Sequence, residues 1–180
     1  DAVAAQQRIL DGLSTLPGVE AVGIVDCLPL IGCTNANTME AEDFPLKPNE
    51  LPPKMAMSSA GPGYFRAMGI PLVAGRTFER RDRDERTGAM VVSEAVAQRF
   101  WPTEDPIGKR IYPGLRGDAP WYTIVGVVQS IRQDDHSEPP AEIMYLPMVN
   151  IDDRNYSENH NIAVVVRTGA DPLALVEPTR

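Results

Sequence analysis

Apolar residues recur at helical spacing near the start of the chain and then give way to a short apolar run. Ile9, Leu13 and Leu16 share one face of a helix predicted over residues 2–16. The run Val19–Val25 is rich in β-branched residues and predicts a strand. The chain therefore begins with an amphipathic helix followed by a strand.

A second helix has the clearest pattern in the sequence. Val96 and Phe100 are four residues apart, as are Ala97 and Trp101, so one face of this helix is apolar. Pro102 ends the helix at about Trp101, because the residue before a proline avoids helical geometry.

Polar residues mark the limits of this second helix. The Ser93 hydroxyl is predicted to cap its N-terminus, and Glu94 lies where the helix dipole favours negative charge. The tetrapeptide that begins at Asp105 predicts a type I turn, with Pro106 in the second place and Gly108 in the fourth.

Glycines are predicted to end one short helix and to interrupt the regular geometry of one strand. Tyr64–Met68 is predicted to be a short helix that ends at Gly69 in the left-handed conformation. Trp121–Ser130 reads as a central strand, antiparallel to Lys109–Tyr112, and Gly126 within it predicts a bulge or a close backbone approach. Its alternation predicts one face with Trp121, Val125 and Val127 and another with Ile124 and Val128.

The remaining pattern predicts four more strands and one long irregular region. A helix is also expected to begin at Asp171. Asparagine, proline and acidic residues make 26–53 irregular, so that it is either a functional loop or a cover over a sheet edge. The four strands are Lys54–Ser59, Ala89–Val92, Glu142–Pro147 and Ile162–Arg167.

Composition places the chain among ordinary globular proteins. Its 180 residues suit one domain or two small subdomains. A net charge of -8 argues against nucleic-acid binding, which needs clustered lysine and arginine. No run approaches the roughly 20 apolar residues that span a bilayer. We expect any membrane segments to lie beyond the two ends of the chain.

The charged run Glu79–Arg86 has two interpretations. It is either a docking patch for a partner or a lipid surface, or a solvated loop or helical turn. Its positive and negative charges cancel locally, so solvation is the favoured interpretation.

Two cysteines, Cys27 and Cys33, lie six positions apart. They either form a disulfide, which would suit an oxidising compartment, or remain two partly buried thiols. Their spacing, without a second pair, is not a zinc pattern.

Catalytic motifs are not found in the sequence. It has no nucleophile elbow, phosphate-binding loop or dinucleotide fingerprint. His136 beside two aspartates and His160 in a polar loop are both predicted to be solvated rather than metal ligands. A glycosylation sequon at Asn155 carries little weight. We therefore expect no catalytic residue, no cofactor and no metal.

Five segments together point to a known family. In chain order they are GYFRAMGIPLVAGRTF at 63–78, VVSEAVAQRFWPTEDPIGKRI at 91–111, WYTIVGVVQSIRQ at 121–133, EIMYLP at 142–147 and VVVRT at 164–168. They resemble the periplasmic core domain of MacB/FtsX-like ABC transporter permeases, and look closest to those common in soil bacteria such as acidobacteria. The residues that the resemblance marks as structural are Tyr64, Phe65, Gly69, Gly75, Arg76, Phe78, Ser93, Glu94, Phe100, Trp101, Pro102, Pro106, Gly108 and Gly126.

The resemblance implies an α+β fold of two lobes. A porter-like α/β lobe would comprise 1–73 plus 160–180 and be truncated at both ends. A smaller β-rich lobe would be inserted at 74–150, with 151–159 as a connecting loop. Such a domain lies outside the cytoplasmic membrane, next to the transmembrane segments of its own permease. It carries no catalytic residues and relays movement driven by a cytoplasmic ATPase, for export, lipoprotein handling or other cell-envelope processes, with a periplasmic partner or cargo.

Two other functions compete with a relay. A ligand- or peptide-binding module would use loop 26–53 as a clamp over an apolar pocket. A hydrolase would bring two carboxylates with perturbed pKa values together in a cleft. The sequence favours the relay, on the resemblance rather than on any derived site.

Overall fold

A computed structural model of the chain describes residues 2–31, 35–84, 88–114, 120–132, 139–148, 162–169 and 171–175. The fold is α+β, as expected. Its helices are α1 (Ala2–Ser14), α2 (Tyr64–Met68), α3 (Arg80–Asp84) and α4 (Glu94–Phe100), with a 3-10 turn at Pro172–Leu175. Its strands are β1 (Val19–Val25), β2 (Ala36–Ala41), β3 (Lys54–Ala60), β4 (Leu72–Gly75), β5 (Ala89–Ser93), β6 (Arg110–Pro113), β7 (Tyr122–Val128), β8 (Ile143–Pro147) and β9 (Ala163–Thr168).

Six strands form a closed ring in the order β2-β6-β7-β5-β8-β3, because β2 pairs with both β6 and β3. The Met39 N–H donates to the Pro53 carbonyl at 2.9 Å on the β3 side. The Thr38 carbonyl accepts from the Gly114 N–H at 2.7 Å on the β6 side. In a strand, the backbone N–H and C=O groups of one residue point to one edge and those of the next residue point to the other. Strand β2 therefore forms hydrogen bonds along both of its edges, and the sheet closes into a barrel.

The interior of this barrel holds one of two large apolar clusters. All six ring strands contribute to it. Val96 and Ala97 of α4, and Trp101 directly after this helix, join it at the end of the ring where β5 finishes. Neighbouring residues of β5 divide between the clusters, with Met90 inside the barrel and Val91 outside. Residues of one strand alternate between the two faces of a sheet, so the wall of the barrel separates the two clusters.

Because of a bulge in β7, the side chains of this strand lie on faces that differ from the prediction. Ile124 and Val127 both lie in the interior cluster, whereas Val128 lies outside and Val125 packs there. The register against β5 shifts between Ile124 and Gly126, so one extra residue reverses the alternation. The predicted grouping of Val125 with Val127 is therefore wrong.

Beside the barrel, β1 and β9 form an antiparallel ribbon covered by helices on both faces. Leu10 of α1 packs with Ile24 of β1, and Val25 belongs to the same cluster as Tyr64 of α2. A Cβ atom at Gly23 would lie 2.4 Å from the Tyr64 Cα, so glycine is what lets α2 approach β1 this closely.

Most predicted elements are present within one or two residues of their expected ends, but the sequence did not predict β2 or β4. The region 26–53 was predicted to be irregular, because the sequence of β2, ANTMEA, has little preference for strands. Pairing with partners on both edges stabilises this strand nonetheless. Strands from both predicted lobes share the one sheet, since β3 pairs with β8 and β2 with β6.

Two local predictions around α4 need correction. Ser93 occupies the N-cap position, but its hydroxyl makes no capping bond. It donates instead to the Ala141 carbonyl and accepts from the Ile143 N–H, at 3.1 and 2.9 Å, while Ser130 Oγ accepts from the Ala95 N–H. The hydroxyl thus holds the start of β8 against β5.

The predicted turn lies one residue further along the chain. The Lys109 N–H donates to the Pro106 carbonyl at 3.2 Å, and Gly108, with φ +87°, occupies the third position. The Gly108 N–H donates to the Ile124 carbonyl of β7 at 2.8 Å. This bond across the sheet takes the N–H that a type I turn beginning at Asp105 would have used.

Gly126→Ala should lower the free energy of unfolding by about 3 kcal/mol, because the added Cβ would lie 2.0 Å from the Arg76 carbonyl oxygen. Gly12→Ala in α1 is the matched control, since nothing lies within 4 Å of its new Cβ. The control should be neutral or stabilise by up to about 1 kcal/mol. Urea denaturation of both variants measures the difference, and equal midpoints would contradict the close approach.

Candidate functional site

The segment that links β4 to α3 crosses the middle of β7, and we call residues 75–82 the joint. The Arg76 N–H donates to the Val125 carbonyl at 2.8 Å. Gly75 has φ +69°, and a Cβ there would lie 2.2 Å from the Val125 oxygen. Gly126 lies under the Arg76 carbonyl, so two glycines allow the backbones to touch at this crossing.

An ion pair closes the joint on itself. Arg76 donates to both carboxylate oxygens of Asp82, at 2.6 and 2.8 Å. The Glu79 N–H donates to the same carboxylate at 2.8 Å. The Asp82 side chain is fully buried, whereas Arg76 is 32% exposed. The hydrogen bond to Asp82 raises the pKa of Arg76, so the arginine stays charged.

The charged run 79–86 is therefore only partly solvated. Arg81 pairs with Glu79, and Arg80 pairs with Asp11 of α1, through side chains that are each about half exposed or more. Asp82 is the exception and corrects the favoured interpretation, because Arg76 neutralises it out of contact with solvent. Residues 85–87 lie outside the described residues.

An aromatic cluster packs next to the joint. Phe65 of α2 lies 6.0 Å from Phe78 and 5.0 Å from Tyr145 of β8, measured between ring centroids. Gly69 ends α2 in the left-handed conformation, with φ +70°, and donates to the Arg66 carbonyl. The cluster connects α2, the joint and the wall of the barrel through buried rings.

A third group of side chains lies where α4 ends. Phe44 meets Phe100 and Trp101 edge to face at 5.8 and 6.0 Å. Beside it, Lys109 binds Asp43 at 2.6 Å and Glu104 at 2.8 Å. The hydrogen bond from Lys109 lowers the pKa of Asp43, which keeps this carboxylate ionised rather than suited to donate a proton.

The structure describes only some of the residues that were considered as metal ligands, disulfide partners or modification sites. No group of three or more histidine, cysteine, aspartate or glutamate side chains in the described ranges could hold a metal ion. Cys27 is disulfide-bonded, and Cys33 lies outside the described residues, so their pairing stays a prediction. His136, Asn155 and His160 also lie outside them, as does the loop 151–159.

Exposed apolar side chains occur along region 26–53. Ile31 is 64% exposed and Leu51 is 87% exposed. Leu30 adopts φ +66°, which is unfavourable for a bulky side chain.

None of the helices in the described part of the chain is long and apolar enough to cross a membrane.

Arg76→Gln should lower the free energy of unfolding by about 3 kcal/mol, because it removes the positive charge that neutralises the buried Asp82 carboxylate. Arg80→Gln is the matched control, since the Arg80–Asp11 pair is exposed and should contribute less than about 1 kcal/mol. Chemical denaturation near neutral pH compares the two variants. Equal losses would mean that the joint is no stronger than a surface pair.

Tyr145→Phe should raise the free energy of unfolding by about 1 kcal/mol, because the Tyr145 hydroxyl is buried and has no hydrogen-bond partner in the described structure. Burial raises the pKa of this phenol, so its ionisation should oppose folding only in strong alkali. Thermal and urea unfolding measure the change. A large loss of stability would reveal a partner for the hydroxyl.

Comparison with known proteins identifies the family. A model of the MacB-like periplasmic core domain matches residues 12–179. A curated relative, the macrolide export ATP-binding/permease protein MacB 2 of Aeromonas hydrophila subsp. hydrophila, is 30% identical over 119 residues, which cover 65% of this chain and 18% of that protein. The chain thus spans about a fifth of the length of this relative.

Solved structures have the same fold. The periplasmic region of MacB from Actinobacillus actinomycetemcomitans is 14% identical with a TM-score of 0.64, covering 96% of this chain and 70% of the other. The extracellular domain of the noncanonic ABC-type transporter YknZ from Gram-positive bacteria is 18% identical with a TM-score of 0.56, covering 96% and 76%. Since the family model matches nearly the whole chain, this protein belongs to the MacB-like periplasmic core domain family.

Proposed function

We propose that this chain is the extracytoplasmic domain of an ABC transporter permease and that it relays ATP-driven movement without catalysing a reaction. The observation that carries the proposal is the joint, where two glycine contacts and the Arg76 N–H bond fix the chain to β7 and a buried ion pair closes residues 75–82 on themselves. Family membership and the permease name of the curated relative support it.

A relay must move as a unit when it is pushed at one place. Here one hydrogen-bonded sheet runs from β9 through β1 and β3 into the barrel. The division into a porter-like lobe (1–73 plus 160–180), an inserted lobe (74–150) and a connecting loop (151–159) is part of the proposal. In that division, the joint lies where the first lobe enters the second, so its stiffness sets how well force passes between them.

The partners follow from this role. Transmembrane segments of the same permease would push the domain, and a cytoplasmic ATPase would drive them indirectly. The far side would act on a cargo or a periplasmic partner, in export or another process of the cell envelope. The disulfide at Cys27 supports a location on the oxidising side of the membrane.

Ion pairing also supports a role without catalysis. Lys109 forms an ion pair with Asp43, and Arg76 forms one with Asp82, each with a nitrogen-to-oxygen distance of 2.6 Å. Carboxylates held in such pairs position backbone segments and are poorly placed to exchange protons with a substrate. We therefore assign these groups to the scaffold.

The test uses the full permease in lipid nanodiscs with bioorthogonal labels at exposed Ile9, in the first lobe of that division, and at exposed Thr103, in the second. Adding ATP should move each label relative to the membrane, while the distance between the two labels stays constant. Arg76→Gln should broaden that distance and weaken the movement, with ATP hydrolysis retained. Arg80→Gln should behave like the wild type. A domain that stays still through the ATPase cycle, or that turns over a substrate by itself, would refute the relay.

A ligand- or peptide-binding module is the second candidate, favoured by exposed Ile31 and Leu51 in region 26–53. Apolar side chains that are exposed on a loop can bind an extended apolar peptide. A library of apolar peptides should then shift the NMR signals of this region at micromolar concentration, and Leu51→Ser should weaken binding. Absence of such shifts would remove this candidate.

A further inference from the structure

The methionines of this chain are concentrated inside the barrel. Of seven in the sequence, Met39, Met55, Met90 and Met144 are 0–2% exposed and lie in the interior cluster. They come from four different ring strands, β2, β3, β5 and β8. Met57, partly buried, pairs with Met144 across β3 and β8 and packs against the same cluster.

The cluster outside the barrel has a different composition. Its fully buried side chains are aromatic or aliphatic, and Met68 is only partly buried against it. Tyr64, Phe65 and Tyr145 have few rotatable bonds, and Phe65 meets the other two rings edge to face. A methionine side chain has three rotatable bonds and fills irregular space, so the interior of the barrel is the more adaptable of the two cores.

Helix α4 rests on this adaptable core. Val96 is fully buried and Trp101 is 3% exposed, both in the interior cluster. Outside the barrel interior, Arg99 binds partly exposed Glu142, the Ala95 N–H binds Ser130, and Phe100 packs against Phe44. The buried apolar face of α4 contacts the barrel interior, so the packing there contributes to the position of the helix.

We propose that α4 is a compliant plug, whose depth and tilt in the mouth of the barrel change as the methionines adopt new rotamers. The wall of the ring keeps its hydrogen bonds during this movement, because only side chains inside it rearrange. The inference concerns motion within the chain and does not depend on its being a relay.

The first test replaces Met39, Met55, Met90 and Met144 with leucine, which keeps the volume but removes flexibility. Amide hydrogen exchange over Val96–Phe100 should slow by about tenfold in the variant, while exchange in β5 and β7 stays unchanged. The matched control is Met68→Leu with Met148→Leu, two methionines outside the interior cluster. Equal slowing in variant and control would overturn the proposal.

A second measurement needs no variant and remains valid if the leucine protein fails to fold. Methyl ¹³C NMR of the wild-type chain should show rotamer averaging for the four interior methionines, faster than for the aliphatic methyl groups of Val91 and Ile143 in the outer cluster. Interior methionines held in single rotamers would overturn the plug, whatever the permease itself does.

Discussion

The pairing of β2 on both of its edges is the constraint on which the rest of this structure depends. With either edge unpaired, the ring would open and its interior side chains would meet water. Each large apolar side chain that stays inside contributes about 1.5–3 kcal/mol. Closure also removes exposed strand edges, which would otherwise invite pairing with other chains. A short strand of weak intrinsic preference thus stabilises the whole barrel.

The wall of the barrel gives the two cores different tasks. The outer cluster, built from aromatic rings, binds α2 and Phe78 tightly to β5 and β8. The interior is rich in methionine and packs against Val96 and Ala97 of α4. The joint contacts β7 through its backbone, and the buried pair of Arg76 and Asp82 closes the joint on itself. Stiff and adaptable regions therefore lie on opposite sides of a single sheet.

Local pattern was enough to predict most helices and strands, because their apolar spacing and their caps lie within a few residues. Interactions between distant residues account for the misses. β2 exists through its neighbours, and the hydroxyl of Ser93 bonds to the start of β8 rather than to its own helix. The burial of Asp82 could be suspected only by pairing it with Arg76, six residues earlier, since the charges around it alternate. Family resemblance, rather than any site motif, carried the functional expectation.

The two stabilising features differ in how early they can form during synthesis. Arg76 and Asp82 are close in sequence, so their loop closes as soon as both residues have emerged. Glu40 of β2 pairs with Tyr112 of the neighbouring strand β6, so β2 must wait for a much longer stretch of chain. A nascent chain therefore carries an incomplete barrel until β8, the last ring strand in the sequence, has emerged, and in that interval it is most exposed to proteases and in most need of chaperones.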